Sequence, residues 1–100
     1  MNMQQMVMQA QKMQRELKKA KDELAKQEFS VTKGGAVTVV MMGDKTIKSI
    51  SIDEDAFEKD NKEMVEDMLA LAINELYEKI SDAEQKIEEK ITGRMGGFGF

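Results

Sequence analysis

One hundred residues make a single domain, and an apolar fraction of 41% is too high for a disordered chain, yet no apolar run approaches the roughly 18–20 residues needed to cross a bilayer. The chain has no His, Cys or Trp, which removes disulfides, thiolate and imidazole catalysis and the commonest transition-metal ligands. Any catalysis would rest on carboxylates, Lys, Ser or Tyr77, so neither an enzyme nor a metal or other cofactor is expected, and a net charge of -4 argues against simple attraction to nucleic acid.

The opening carries no signal-peptide pattern, and a small domain without disulfides fits the cytoplasm. Met3, Met6, Ala10, Met13, Leu17, Ala20 and Leu24 recur at spacings of 3, 4, 3, 4, 3 and 4. That is the a/d seam of a coiled-coil helix, with no Gly or Pro to interrupt it, and it predicts a helix over about 2–27. The Met residues that keep this register, and Met41 and Met68 further on, read as adaptable packing side chains.

The pattern then changes to period two. "FSVT", "AVTVVMM" and "TIKSISI", separated by the turn signals "KGG" and "GDK", predict a three-stranded antiparallel meander within 28–52. The middle strand is apolar on both faces, with Val37, Val39 and Met41 on one and Ala36, Val40 and Met42 on the other. A strand covered on one side only should alternate with polar residues.

"DEDAFEKDN" is a polar connection with one short turn or helix expected at 54–58. Its acids do not form an EF-hand loop, because counting from Asp53 the sixth and twelfth positions are Glu58 and Met64 where Gly and Glu are needed. A second long helix is predicted from 62 to 91, capped by Asp60 or Asn61 and stopped by Gly93, with a flexible Gly-rich tail over 93–100. Asn74, between apolar residues, reads as an interhelical hydrogen-bonding side chain, and Tyr77 as an interface aromatic.

The two helices would be about 40 and 45 Å long, against a radius of gyration of about 13 Å for a compact chain of this size. An elongated α+β protomer is therefore expected, its helices antiparallel and leaving a common sheet. Surplus helix stripes and a two-faced strand both call for a second copy, so a homodimer is expected, with Val37, Val39, Val40, Met41 and Met42 as candidate interface residues.

The acidity is uneven. Residues 53–78 hold ten acids and two lysines, net -8, whereas 1–27 hold six bases and three acids, net +3. On a helical wheel Lys12, Arg15, Lys19 and Lys26 fall within about 60° of one another, opposite the seam, with Lys18 beside them. Such a row can follow a polyanion backbone, although outer-face lysines also serve solubility alone.

Taken together, "MVMQAQKMQRELKKAKDELAKQEF", "GGAVTVVMMGDKTIKSISID" and "NKEMVEDMLALAINELYEKI", followed by a Gly-rich aromatic end, resemble the YbaB/EbfC family of nucleoid-associated proteins over nearly the whole chain. The resemblance implies a tweezer-like homodimer of helix–three-strand–helix protomers that binds duplex DNA in the nucleoid, without catalysis, small-molecule substrate or membrane partner. Family DNA binding is associated with the helical arms, which points to Lys12, Arg15, Lys18, Lys19 and Lys26, and secondarily to Lys86, Lys90 and Arg94. The chain departs from the family in having Glu54 where Pro often follows the third strand, and no Pro in its tail. A coiled-coil interaction adaptor or chaperone-like clamp is the alternative from a different class.

Overall fold

A computed structural model describes the backbone of residues 2–94 and the side chains of 2–93. In chain order it has α1 (Met3–Ala25), β1 (Glu28–Lys33), β2 (Val37–Met42), β3 (Ile47–Ile52), two single 3-10 turns (Glu54–Ala56 and Lys59–Asn61) and α2 (Lys62–Arg94). The sheet is the expected antiparallel meander, ordered β1-β2-β3. The expected tail lies, from Met95 onward, outside the described residues.

Each turn is made by residues suited to it. Gly34 and Gly35, at φ 59° and 66°, sit at the centre of the turn Lys33–Ala36, closed by the Ala36 N–H donating to the Lys33 carbonyl at 3.0 Å. Two consecutive positive φ angles are what a type I′ hairpin requires. After β2 the left-handed position falls on Lys45, at φ 70°, an uncommon conformation for a residue with a Cβ. Its side chain is held at both ends of the contact, with the ammonium 3.3 Å from Glu84 Oε1 and 4.3 Å from the centre of the Tyr77 ring. Desolvation would lower the pKa of Lys45, but the hydrogen bond and charge of Glu84, aided by Tyr77, outweigh it and hold the group above the ordinary lysine value. Asp44 steadies the same turn by accepting from the Thr46 hydroxyl and, at 2.9 Å, from the Thr46 N–H, which keeps its carboxyl below the usual range.

α2 is the spine. Ala72, Leu76 and Ile80, one turn apart, are fully buried against Val31, Val37, Val39 and Met41, with Phe29, Val65, Met68, Leu69 and Ile73 around them. The helix crosses β1 and β2, then runs on beside α1. Helices of 23 and 33 residues are about 35 and 50 Å long, which gives extents of 68 × 21 × 14 Å and a radius of gyration of 19.7 Å.

Some local expectations are corrected. The second 3-10 turn leads directly into α2, with Asn61 as its last residue before Lys62. Gly93 does not stop the helix, which continues to Arg94. Asn74 is exposed and makes no interhelical hydrogen bond among the described residues, because it points away from the sheet and from α1. Ala36 packs against the core, where the turn redirects the chain, rather than joining Val40 and Met42 on the outer face. A bulge between Val40 and Met41 pairs Met41 with Ile47, which puts Ile47 on the same face of the sheet as Ile50 and the core.

The β2–β3 turn is locked to the end of α1. Gly43 is buried, its N–H donates to the Gln27 carbonyl at 2.9 Å, and a Cβ built on it would stand 1.8 Å from the Leu24 carbonyl oxygen. Gly43→Ala should therefore force backbone to move and cost about 1–3 kcal/mol, as read by urea unfolding. A variant as stable as the parent would show that this contact does not fix α1 to the sheet.

Candidate nucleic-acid interface

The arm begins where α1 and α2 leave the sheet together. Order along it is set by Leu24, buried beside Gly43, then by an ion pair of 2.9 Å between Lys21 and Glu88, and then by a groove lined by Glu16, Lys19, Ala20, Glu23, Ile87, Lys90 and Ile91. The helices are antiparallel, and the apolar floor of Ala20, Ile87 and Ile91 continues the α1 seam onto α2. This groove encloses about 350 Å³ and brings Lys19 of one helix and Lys90 of the other to the same side of the arm.

A second, shallow groove of about 370 Å³ runs along the outside of α1, lined by Arg15, Lys18, Lys19, Asp22, Glu23 and Lys26. Lys19 and Glu23 border both grooves, so Arg15, Lys18, Lys19, Lys26 and Lys90 share one surface with Glu16, Asp22 and Glu23. Lys12, Arg15, Lys18, Lys19 and Lys26 are all exposed. Lys18 is paired with Asp22 at 3.0 Å, one helical turn on. Among the described residues Lys12, Arg15, Lys19 and Lys26 have no carboxylate at ion-pair distance. Four uncompensated cations on one helix face can each take a phosphate oxygen without first breaking an internal pair.

The other candidates separate. Lys90 joins the surface; Lys86 is exposed on α2 but lines neither groove; the Arg94 side chain lies outside the described residues. Lys21, which shares the helix with the row, is turned to Glu88 and ties the arm together instead.

The candidate interface residues divide as well. Val37, Val39 and Met41 are buried beneath the chain's own α2, which takes them out of the surface open to a second copy. Val40 and Met42 are half-buried on the opposite face, between the Thr32–Thr38 hydroxyl contact and the Glu28–Lys48 ion pair. The apolar surface left open lies elsewhere: α2 scarcely reaches β3, so Ile47 and Ile50 stay 45% and 48% exposed on the core face, with Tyr77 at 53% on the adjoining helix. Periodicity could not show how far the α2 roof extends.

Among the described residues no helix is long and apolar enough to cross a membrane, and no three acidic side chains converge as a metal ion would require.

Comparison with known proteins shows the family. The profile of the YbaB/EbfC DNA-binding family matches residues 1–95. This chain belongs to that family. A nucleoid-associated protein of Mycoplasmopsis pulmonis is 41% identical over 91 residues, covering 91% of this chain and 90% of the relative. Nucleoid-associated proteins of Acetivibrio thermocellus and Chloroflexus aurantiacus are each 39% identical, over 97% and 98% of this chain and 87% and 96% of their own lengths. The YbaB/EbfC family is one of DNA-binding proteins, not a class of enzymes.

The arm of this family member rests on apolar packing more than on charge. Lys21 and Glu88 are about half exposed, a setting in which an ion pair contributes roughly 0–1 kcal/mol, whereas Ile91 is buried. Ile91→Ala should cost about 2–4 kcal/mol and Lys21→Ala under about 1 kcal/mol in chemical denaturation. The reverse order would show that ion pairs hold the arm.

Proposed function

We propose that the protein binds duplex DNA as a homodimer, through the cationic side of its helical arm, and acts in the nucleoid of the cytoplasm on DNA organisation or gene expression. The observation that carries this reading is the row Lys12, Arg15, Lys19 and Lys26, exposed and without carboxylate partners among the described residues, with Lys90 joining it across the arm. The ten acids of 53–78 lie on the connection and the sheet end of α2, away from this row, so the local field at the arm is positive although the chain is acidic. Membership in a DNA-binding family and the nucleoid-associated relatives support the same partner.

The contacts are to phosphate. Lysine and arginine spaced along one helix face fix position on the duplex and carry little sequence information. The homodimer reading is supported by β3, an edge strand whose Ile47 and Ile50 lie open beside Tyr77. An apolar exposed edge is a surface that a second copy can cover. Val40 and Met42, already half-buried, would border that contact.

Fluorescence anisotropy on a labelled duplex tests the reading. If about four phosphates are neutralised per protomer, and so about eight per dimer, affinity should fall about 10,000-fold between about 50 and 200 mM salt. The variant Lys12→Glu/Arg15→Glu/Lys19→Glu, shown by circular dichroism and sedimentation to keep its fold and mass, should bind at least about tenfold more weakly at the lower salt and with a flatter salt dependence. Unchanged affinity in the folded variant would remove the arm as the site. A parent protein that does not bind DNA even at low salt would favour the interaction-adaptor reading.

A further inference from the structure

Among the described residues the two helices of the arm do not end together. The last turns of α2 lie against Glu16, Lys19 and Ala20 of α1, through Lys90 and Ile91. Residues 3–12 of α1 therefore project past Arg94 by about 15 Å. The seam goes with them. Its inner end, Leu24, is 4% exposed; its outer end, Met3, is 80% exposed, and Met6, Val7 and Met8 are open as well.

This projection is built as a helix. Asn2 accepts from the Gln5 N–H at 2.8 Å while Gln5 Oε1 accepts from the Asn2 N–H at 3.4 Å, a reciprocal capping box. A helical stretch of this length is marginal in water unless its apolar face is packed.

We infer that the projecting seam packs against the same seam of a second copy, antiparallel, so that the arms of two molecules join tip to tip. The seam that packs on α2 further in continues outward in unbroken register, so its natural occupant is another helix. In a fully overlapped antiparallel pair Met3 faces Met13 of the second copy and Met6 faces its Ala10, which sets each a position opposite a d position. The charge pattern suits a self-contact. Between residues 2 and 14 the only charged side chain is Lys12, two positions past Ala10 and off the seam, and the flanking residues include Gln4, Gln5, Gln9, Gln11 and Gln14. Amide side chains donate and accept, so they pair with copies of themselves without repulsion. The start of one α1 also falls near the end of the other molecule's α2, which puts opposite ends of two helix dipoles together.

The contact is separate from the open face of β3 and does not depend on DNA. With the proposed sheet contact it would link dimers end to end, which gives an acidic DNA-binding protein a means of joining distant duplex segments.

Because the chain has no cysteine, cross-linking reads the contact cleanly. Met6→Cys and Ala10→Cys proteins, of full length, are oxidised separately and as an equal mixture. The mixture should give a disulfide-linked pair at least about tenfold more abundant than either variant alone. In the antiparallel register positions 6 and 10 face each other, whereas two copies of either position lie beyond the roughly 7 Å that a disulfide can bridge. Met3→Gln, at the outer end of the seam and introduced into both cysteine variants, should reduce the mixed product several-fold, while circular dichroism shows the core helix content retained. Cross-linking of each variant with itself would overturn the antiparallel arrangement. No intermolecular product at all would overturn the contact, and would fit coverage of the seam by residues 95–100 of the same chain or by a different protein.

Discussion

The structure depends on one stripe of one helix serving two partners. Ala72, Leu76 and Ile80 close over Val37, Val39 and Met41, and the same α2 then carries Ile87 and Ile91 along Ala20 of α1. Full burial of a side chain such as Leu76 or Ile80 is worth roughly 1.5–3 kcal/mol, and three short strands without that cover would be marginal. Sheet and arm are therefore stabilised by a single element, and the direction of the arm is set where that element leaves the sheet. At that point Gly43 touches the Leu24 carbonyl and Lys45 reaches Glu84 and Tyr77.

The charge distribution acquires meaning from this geometry. A -4 chain is a poor ligand for DNA if its charge is averaged over the surface. The fold does not average it. The acids of 53–78 occupy the connection and the sheet end of α2, while α1 carries its cations outward along the arm. Beyond a Debye length of about 8 Å at physiological salt the acidic end is largely screened from the arm, so the local row sets the potential there. Pairing sharpens the distinction: Lys18 and Lys21 have carboxylate partners, whereas Lys12, Arg15, Lys19 and Lys26 have none among the described residues.

Much of this was legible in the residues. The 3-4 spacing from Met3 to Leu24, the paired glycines at 34 and 35, and the β-branched run at 37–40 each specify an element through local physics. What was not legible depended on distances between elements. Both faces of β2 look equally apolar in sequence, and only the position of α2 shows that Val37, Val39 and Met41 are covered within the protomer while Ile47 and Ile50 are not. The bulge after Val40 changes which residues of β3 share the core face, and an alternating pattern cannot announce it. The cationic row followed from a helical wheel, but its join to Lys90 required the register of α1 on α2. That register also determines how much of the Met seam is left uncovered.

Binding of DNA along the arm, away from the acidic end, can be read residue by residue. Titrating a short duplex into isotope-labelled protein and following backbone amide signals by nuclear magnetic resonance tests this most directly. Shifts should be concentrated at residues 12–26 and around Lys90, with those of 53–67 unmoved. Shifts centred on the sheet or the acidic connection, with the α1 signals unchanged, would contradict it.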